Sequence, residues 1–306
     1  MSAAAAVRTE GLLGTLCLGE PMARHVSWRA GGAAARCYRP ADLADLAGFL
    51  RRLPRSEPIL FVGLGSNLLV RDGGWPGTVV LMHGAGKHPV LEDGRVYAEA
   101  GVASPKVARF AAMQGFSGAE FLAGIPGTVG GALAMNAGCY GGETWERVER
   151  VLTIDRRGEL RTRVRDDFDI GYRRCALKGG RLGEDEWFAA AWLRLPAGDR
   201  EASRGVIRGL LARRVLTQPL QFPNAGSVFR NPEGDHAARL IEACGLKGLE
   251  RGGAQVSPLH ANFIVNPRGA ARASDIEWLI GRVREVVLEK TGIALVTEVR
   301  IVGEAA

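Results

Sequence analysis

GIPGTVGGALAMNAGCYGG, residues 124–142, is the stretch on which the reading of the chain turns. Seven of its residues are glycine, at 124, 127, 130, 131, 138, 141 and 142. That much glycine weakens a regular helix and leaves too little side chain to build a core. Backbone this bare is useful where another molecule lies directly against it. Its N–H groups, unshielded by Cβ atoms, can converge on an anion such as a phosphate. The plainer alternative is a surface loop, which would normally be rich in Ser, Asp, Asn and Lys. Here the residues between the glycines include Ile125, Val129, Leu133 and Met135, so an apolar, buried cradle for a phosphate-bearing cofactor is expected.

A second glycine turn lies upstream. The short apolar strand ILFV (59–62) runs straight into GLGSNLLV (63–70). This is a phosphate-loop candidate, but Leu68 occupies the third glycine position of G-x-G-x-x-G, and Leu68, Leu69 and Val70 suggest a strand rather than a helix. A nicotinamide-type dinucleotide fold is therefore disfavoured. A tight turn between strands is the bland reading of the same residues.

The totals bound the function classes. A chain of 306 residues has room for about two domains, and 46% apolar with 24% charged residues is ordinary globular composition. Five cysteines without a C-x-x-C pair predict reduced thiols and no disulfide framework or zinc site. The start, MSAAAAVRTEGLL, lacks the pattern of a signal peptide, and no apolar run is long enough to span a bilayer, so an intracellular protein is expected. The net charge of +7 is carried mostly by arginine and suits small polyanionic ligands as well as nucleic acid. No nucleic-acid-binding motif accompanies it.

Around the two glycine stretches, strands and helices alternate, which predicts an α+β or mixed α/β architecture. Strands are expected at the end of 25–40, at 79–82 and at 96–100. The sequences VERVLTID (148–155) and ELRTRV (159–164) read as a hairpin about Arg157-Gly158, and Trp187–Leu195 as a further strand. Helices are expected from Asp42 to Leu50, from an N-cap at Ser104 to about Gln114, over 203–215 with Val206, Ile207, Leu210 and Leu211 on one face, and around His236–Cys244. The last helix starts at Ser274 with a Ser274/Glu277 capping box and buries Ile276, Leu279, Ile280, Val283, Val286 and Val287. Leu295–Val302 closes the chain as a strand, and a domain boundary is placed near Ala197-Gly198.

Three polar residues stand out, each with an ordinary explanation. Ser227 lies in Ala-Gly-Ser-Val-Phe without the G-x-S-x-G frame of a nucleophile elbow, and a serine at a turn is usually a backbone cap. Arg173 follows Tyr172 in a Gly-Tyr-Arg-Arg turn, where most arginines are solvated. Glu298 interrupts an apolar terminal strand and would face outward on an edge. The five histidines are dispersed, with no H-x-x-x-H pair, and no metal site is expected.

Taken together, HVSWRAGG (25–32), GLGSNLLV (63–70), GIPGTVGGALAMNAG (124–138), NAGSVFRNP (224–232), AQVSPLHANFIVN (254–266) and TEVRIVG (297–303) resemble the UDP-N-acetylenolpyruvoylglucosamine reductase family, in its shorter subtype. The resemblance implies an α+β fold: a two-part FAD-binding region of the vanillyl-alcohol-oxidase-like type (1–85 and 86–197) and a C-terminal α+β substrate-binding domain (198–306). It implies FAD as cofactor, held by Gly63, Leu64, Gly65, Ser66, Asn67, Gly124, Ile125, Pro126, Gly127, Thr128, Gly130 and Gly131, with Asn136 facing the flavin. NADPH would reduce the flavin, and hydride would then pass to C3 of a UDP-sugar enolpyruvyl ether. Ser227 matches the family's proton donor to C2, and Arg173 and Glu298 match its active-site arginine and glutamate. Tyr172, Arg214, Arg230, Asn231, Gln255 and His260 would serve the substrate. A cytoplasmic bacterial monomer acting in peptidoglycan synthesis, and so in cell wall biogenesis, cell shape and division, is implied, with no nucleic-acid or membrane partner. Departures from the family's pattern are Asn224 for a serine, Arg230 for a lysine, Leu259 for a charged residue and Cys139 for a small apolar one. A hydroxy-acid oxidase or dehydrogenase of the same fold would share the glycine loops but not NAGSVFRNP with TEVRIVG. A nucleotide- or nucleic-acid-binding protein is the rival from another class.

Overall fold

A computed structural model describes residues 7, 9–84 and 88–306. Among these the α-helices are α1 (Leu43–Leu50), α2 (Ser104–Met113), α3 (Val129–Ala134), α4 (Arg200–Thr217), α5 (Ala237–Ala243) and α6 (Ala273–Thr291). The chain divides into two compact units. One comprises the chain up to Leu18, Ala35–Leu64 and Gly77–Ala212; the other comprises Gly19–Ala34, Gly65–Pro76 and Arg213–Ala306. Each has its own apolar core.

The first unit is built on an antiparallel sheet in the order Leu160–Val164, Val148–Asp155, Glu186–Leu193, Arg95–Glu99, Val90–Glu92. Its middle strand, Glu186–Leu193, is buried along almost its whole length, as an apolar run between two neighbours requires. The expected hairpin forms, with Ile154 opposite Leu160 and Asp155 Oδ1 accepting from Arg157 N (2.8 Å) and Glu159 N (3.0 Å) across the turn. The strand Ile59–Val62 pairs in parallel with Trp75–Leu81, and α1 starts at an Asp42 cap that accepts from Asp45 N at 2.8 Å. Phe49, Leu133, Trp145 and Ile154 are fully buried in this core, and Trp145 Nε1 donates to Leu133 O at 2.9 Å.

Two expectations in this unit need correction. Ala103, not Ser104, is the N-cap of α2. A bridge between Ala103 and Thr128, with Ser104 N donating to Gly127 O at 2.9 Å, draws extended backbone up to the helix and makes Ser104 its first turn. Its hydroxyl is buried without a hydrogen-bond partner among the described residues. The covered face of α4 is also narrower than its pattern suggests: Ser203 and Ile207 are buried, Leu210 and Leu211 are half-buried, and Val206 is exposed.

The second unit packs α5 and α6 with the antiparallel strands Glu250–Arg251, Ala254–Val256 and Ile264–Val265. The predicted stripe of α6 is buried at every named position, but its start differs. The first helical N–H groups, of Ala273 and Ser274, donate to the two carboxylate oxygens of Asp72, both at 2.9 Å, while Glu277 pairs with Arg71. The cap thus comes from a distant segment, and the Ser274/Glu277 box does not form. The closing strand is shorter than expected: Arg300–Val302 pairs in parallel with Leu68–Val70, and 295–299 instead accompany residues 228–230 through a Phe229–Thr297 bridge. The boundary expected at 85/86 falls outside the described residues. The first unit runs on past Ala197-Gly198 to Ala212, because Gly198 N donates to Gly115 O (2.8 Å) and Ser117 N to Pro196 O (3.0 Å).

Candidate active site

In the second unit the Ser227 turn is held by its neighbours rather than by Ser227. Asn224 Nδ2 donates to Phe222 O (2.8 Å) and Pro219 O (3.3 Å), and Asn224 Oδ1 accepts from Gly226 N (3.0 Å). The backbone-capping role is therefore filled. Ser227 is half-buried, and its hydroxyl makes no hydrogen bond among the described residues. The carbonyl of the following residue, Val228 O, accepts from Glu298 N at 2.8 Å, which ties the Glu298 backbone to the residue next to Ser227. Glu298 is half-buried rather than turned out from an edge, and its carbonyl accepts from Asn67 Nδ2 at 3.1 Å. Asn67 and Arg300 are joined in turn, Arg300 N donating to Asn67 O at 3.0 Å. The second glycine turn thereby abuts the Glu298 segment. Gly65 has φ +60°, and a Cβ there would stand 2.2 Å from His25 O, so no other residue fits.

In the first unit the two glycine loops meet: a Cβ on Gly63 would lie 2.3 Å from Thr128 Oγ1. Two N–H groups of the long loop are engaged internally, Val129 N with Val102 O (2.8 Å) and Gly130 N with Ala100 O (2.9 Å). Gly131 differs. It is exposed on α3, its φ is not left-handed, and the nearest atom to a Cβ there is Thr128 Oγ1 at 3.8 Å. The protein's own packing has room for a side chain, and glycine within a helix costs up to about 1 kcal/mol relative to alanine. Its bareness fits a molecule lying against α3. Asn136 does not present its side chain that way. It is 2% exposed, with Nδ2 donating to Glu143 (2.8 Å) and Gly171 O (3.1 Å) and Oδ1 accepting from Trp145 N (3.1 Å), so it clamps the loop from inside.

Arg173 sits at the tip of the hairpin Phe168–Gly171/Arg174–Leu177 with φ +53°, a conformation that favours glycine. Its Nη2 donates to Gly138 O in the glycine loop at 2.7 Å, and its guanidinium lies 5.1 Å from the Tyr172 ring centre. Asn136, Tyr140 and Arg173 supply three of the non-glycine residues with positive φ, all around this loop. Strain gathered in one place marks a functional site more often than a structural one. Burial pushes the neighbouring Cys175 thiol up to about 12, which keeps it protonated at neutral pH.

Residues 34–163 match the FAD binding domain family, and residues 218–302 match the UDP-N-acetylenolpyruvoylglucosamine reductase C-terminal domain. A UDP-N-acetylenolpyruvoylglucosamine reductase from Nitrosomonas eutropha is 55% identical, covering 99% of this chain and 93% of that protein. One from Alkalilimnicola ehrlichii is 59% identical over 94% of each. The crystal structure of the Thermus caldophilus enzyme of that name superposes with a TM-score of 0.78 at 32% identity, covering 94% of this chain and 98% of that one. The chain belongs to the UDP-N-acetylenolpyruvoylglucosamine reductase family. The α+β fold with an FAD-binding domain and a reductase C-terminal domain is accordingly the one expected.

Within this reductase-family framework the substrate candidates have varied surroundings. Arg230 N donates to Val296 O (2.9 Å), and its Nε is buried without a hydrogen-bond partner among the described residues. His260 stacks edge-on against Phe263, accepts from Asn262 N at 3.3 Å, and burial lowers its basicity. Tyr172 is exposed at the hairpin tip. Others already have structural partners: Asn231 Oδ1 accepts from Ala237 N at the start of α5, Gln255 donates to Glu250, and Arg214 donates to Gln218. Sequence reading missed Asn224, Asn262 and Ser27, whose N–H and hydroxyl both reach Gly65 O. The one available signal was an asparagine opening the apolar run NFIVN, since a buried amide needs partners.

Proposed function

We propose that this chain is an FAD-dependent reductase that uses NADPH to convert UDP-N-acetylglucosamine enolpyruvate to UDP-N-acetylmuramate, in bacterial peptidoglycan synthesis. The observation that carries the reading is the Ser227 hydroxyl: it is half-buried, makes no hydrogen bond among the described residues, and belongs to the residue before Val228, whose carbonyl binds Glu298 N. A serine whose usual capping role is filled by a neighbour is available to give up a proton.

Gly63, Leu64, Gly65, Ser66, Asn67 and the segment from Gly124 to Gly131 would hold the cofactor, and the open face at Gly131 fits such a neighbour. When bound, FAD supplies hydride transfer between the nicotinamide and the enolpyruvyl double bond. The protein then manages charge and protons. Arg173 offsets the negative charge that develops toward the substrate carboxylate as C2 becomes electron-rich. Ser227 protonates C2; a hydroxyl is a weak acid, and an enolate-like carbon is basic enough to take its proton. Glu298 shapes the field beside the donor. Arg230, His260 and Tyr172 serve the substrate, with Arg214, Asn231 and Gln255 as further contacts. The division into 1–85, 86–197 and 198–306 is proposed as the functional one, cofactor segments before substrate segment. A cytoplasmic monomer is part of the same proposal. No helix among the described residues is long and apolar enough to cross a membrane.

An anaerobic visible spectrum tests the reading. The flavin-loaded protein should bleach with NADPH and recover its colour when UDP-N-acetylglucosamine enolpyruvate is added. A protein that takes up no FAD, or whose bleached flavin ignores the UDP-sugar, would overturn it.

A further inference from the structure

Asn262 is 3% exposed and lies 35 positions from Ser227 along the chain. Its planar side chain faces the backbone of one residue, Phe229, and pairs with both its N–H and its C=O. Oδ1 accepts from Phe229 N at 2.9 Å and Nδ2 donates to Phe229 O at 2.8 Å. Its main-chain carbonyl accepts from Val228 N, also at 2.9 Å, and its own N–H donates to His260 Nδ1 at 3.3 Å. On the other side, Val228 O accepts from Glu298 N. Both polar groups of Val228 and both of Phe229 are therefore taken up, three of the four by Asn262.

The two residues so fixed directly follow Ser227. Because the Ser227 hydroxyl has no hydrogen bond of its own among the described residues, its position is inherited from this backbone. Glu298 is tied to the same peptide from the opposite side. We propose that Asn262 is a positioning residue: its amide sets the backbone that aims Ser227 and spaces it from Glu298. The proposal rests on Ser227 being the proton donor. An amide is the side chain suited to this, since it alone offers a donor and an acceptor in the plane and spacing of a peptide edge. A misplacement of about 1 Å at a reacting group can lower a rate on the order of 100-fold.

The test compares Asn262→Asp, which keeps the shape but loses the donor to Phe229 O, with wild type in separated half-reactions. Flavin reduction by NADPH should stay within about 2-fold of wild type. Binding of UDP-N-acetylglucosamine enolpyruvate to the oxidised enzyme should stay within about 3-fold. Reoxidation of reduced flavin by that substrate should fall on the order of 10- to 100-fold. Hydrogen exchange at the Phe229 amide should quicken in Asn262→Ser, whose shorter side chain withdraws the acceptor from that N–H, a readout independent of turnover. The same serine variant serves for the half-reactions if the aspartate variant does not fold. Equal losses in both half-reactions, or unchanged reoxidation with unchanged exchange, would overturn the positioning role. A wild-type protein that the UDP-sugar does not reoxidise would instead overturn the reading beneath it.

Discussion

Replacing Ser227 by alanine removes a hydroxyl that nothing in the described protein binds, so folding should change by less than about 0.5 kcal/mol. Chemistry should separate from stability: flavin reduction by NADPH continues, and reoxidation by the enolpyruvyl substrate collapses. Stopped-flow absorbance of each half-reaction checks this, and equal losses in both would remove Ser227 from its role. Gly131→Ala makes the opposite bargain. A Cβ there meets nothing closer than 3.8 Å, so the flavin-free protein should gain up to about 1 kcal/mol from helix propensity, while FAD affinity falls because the open face is filled. Melting of the flavin-free variant and an FAD titration read the two effects. At Arg173 the left-handed backbone separates two substitutions. Arg173→Gly loses the bond to Gly138 O but relieves strain of about 1 kcal/mol; Arg173→Ala loses the bond and keeps the strain. The glycine variant should be the more stable by about 1 kcal/mol in chemical denaturation, and both should be inactive.

For the helices, pattern and termination obey different physics. The buried stripe of α6 could be read from its spacing because a helix repeats every 3.6 residues whatever surrounds it. Its cap could not, since the carboxylate is supplied by Asp72, 201 positions away from Ala273. Burial pushes the Asp72 carboxyl up, but bonds from Ser274 and from the Ala273 N–H outweigh it and hold the group below the usual range. A depressed carboxyl contributes stability above its unfolded value of about 3.9 and loses that contribution as pH falls through its folded value. Asp72→Ala should therefore cost about 1–2 kcal/mol at pH 7, and its gap from wild type should narrow below about pH 4. Urea titrations at pH 7 and pH 3 check this; a gap that widens in acid would exclude Asp72 as the cap. Ser104 shows the converse: a sequence that reads as an N-cap is displaced one position by a bridge to Thr128, and its hydroxyl is left buried.

Across the whole molecule, the net charge is +7. Part of the arginine is paired with carboxylates: Arg36 with Glu57, Arg71 with Glu277, Arg95 with Glu149, Arg163 with Glu186 and Arg239 with Asp235. Duplex DNA should not be retained at about 0.15 M salt. Retention that falls steeply and linearly in log–log with salt would contradict this. The amino-acid order alone was enough to establish the alternating strands and helices, the two glycine loops, the hairpin about Gly158 and the motifs that name the family. Each of these depends on neighbours within a few residues, through side-chain period, turn conformation or the bareness of glycine. It did not reveal that Asn136 is a clamp, that Asn224 relieves Ser227 of capping, that Asp72 starts α6, or that Asn262 and Glu298 hold the backbone beside Ser227 from opposite sides. Those are hydrogen bonds between groups distant along the chain, and a donor in sequence carries no mark of which acceptor folding will bring to it.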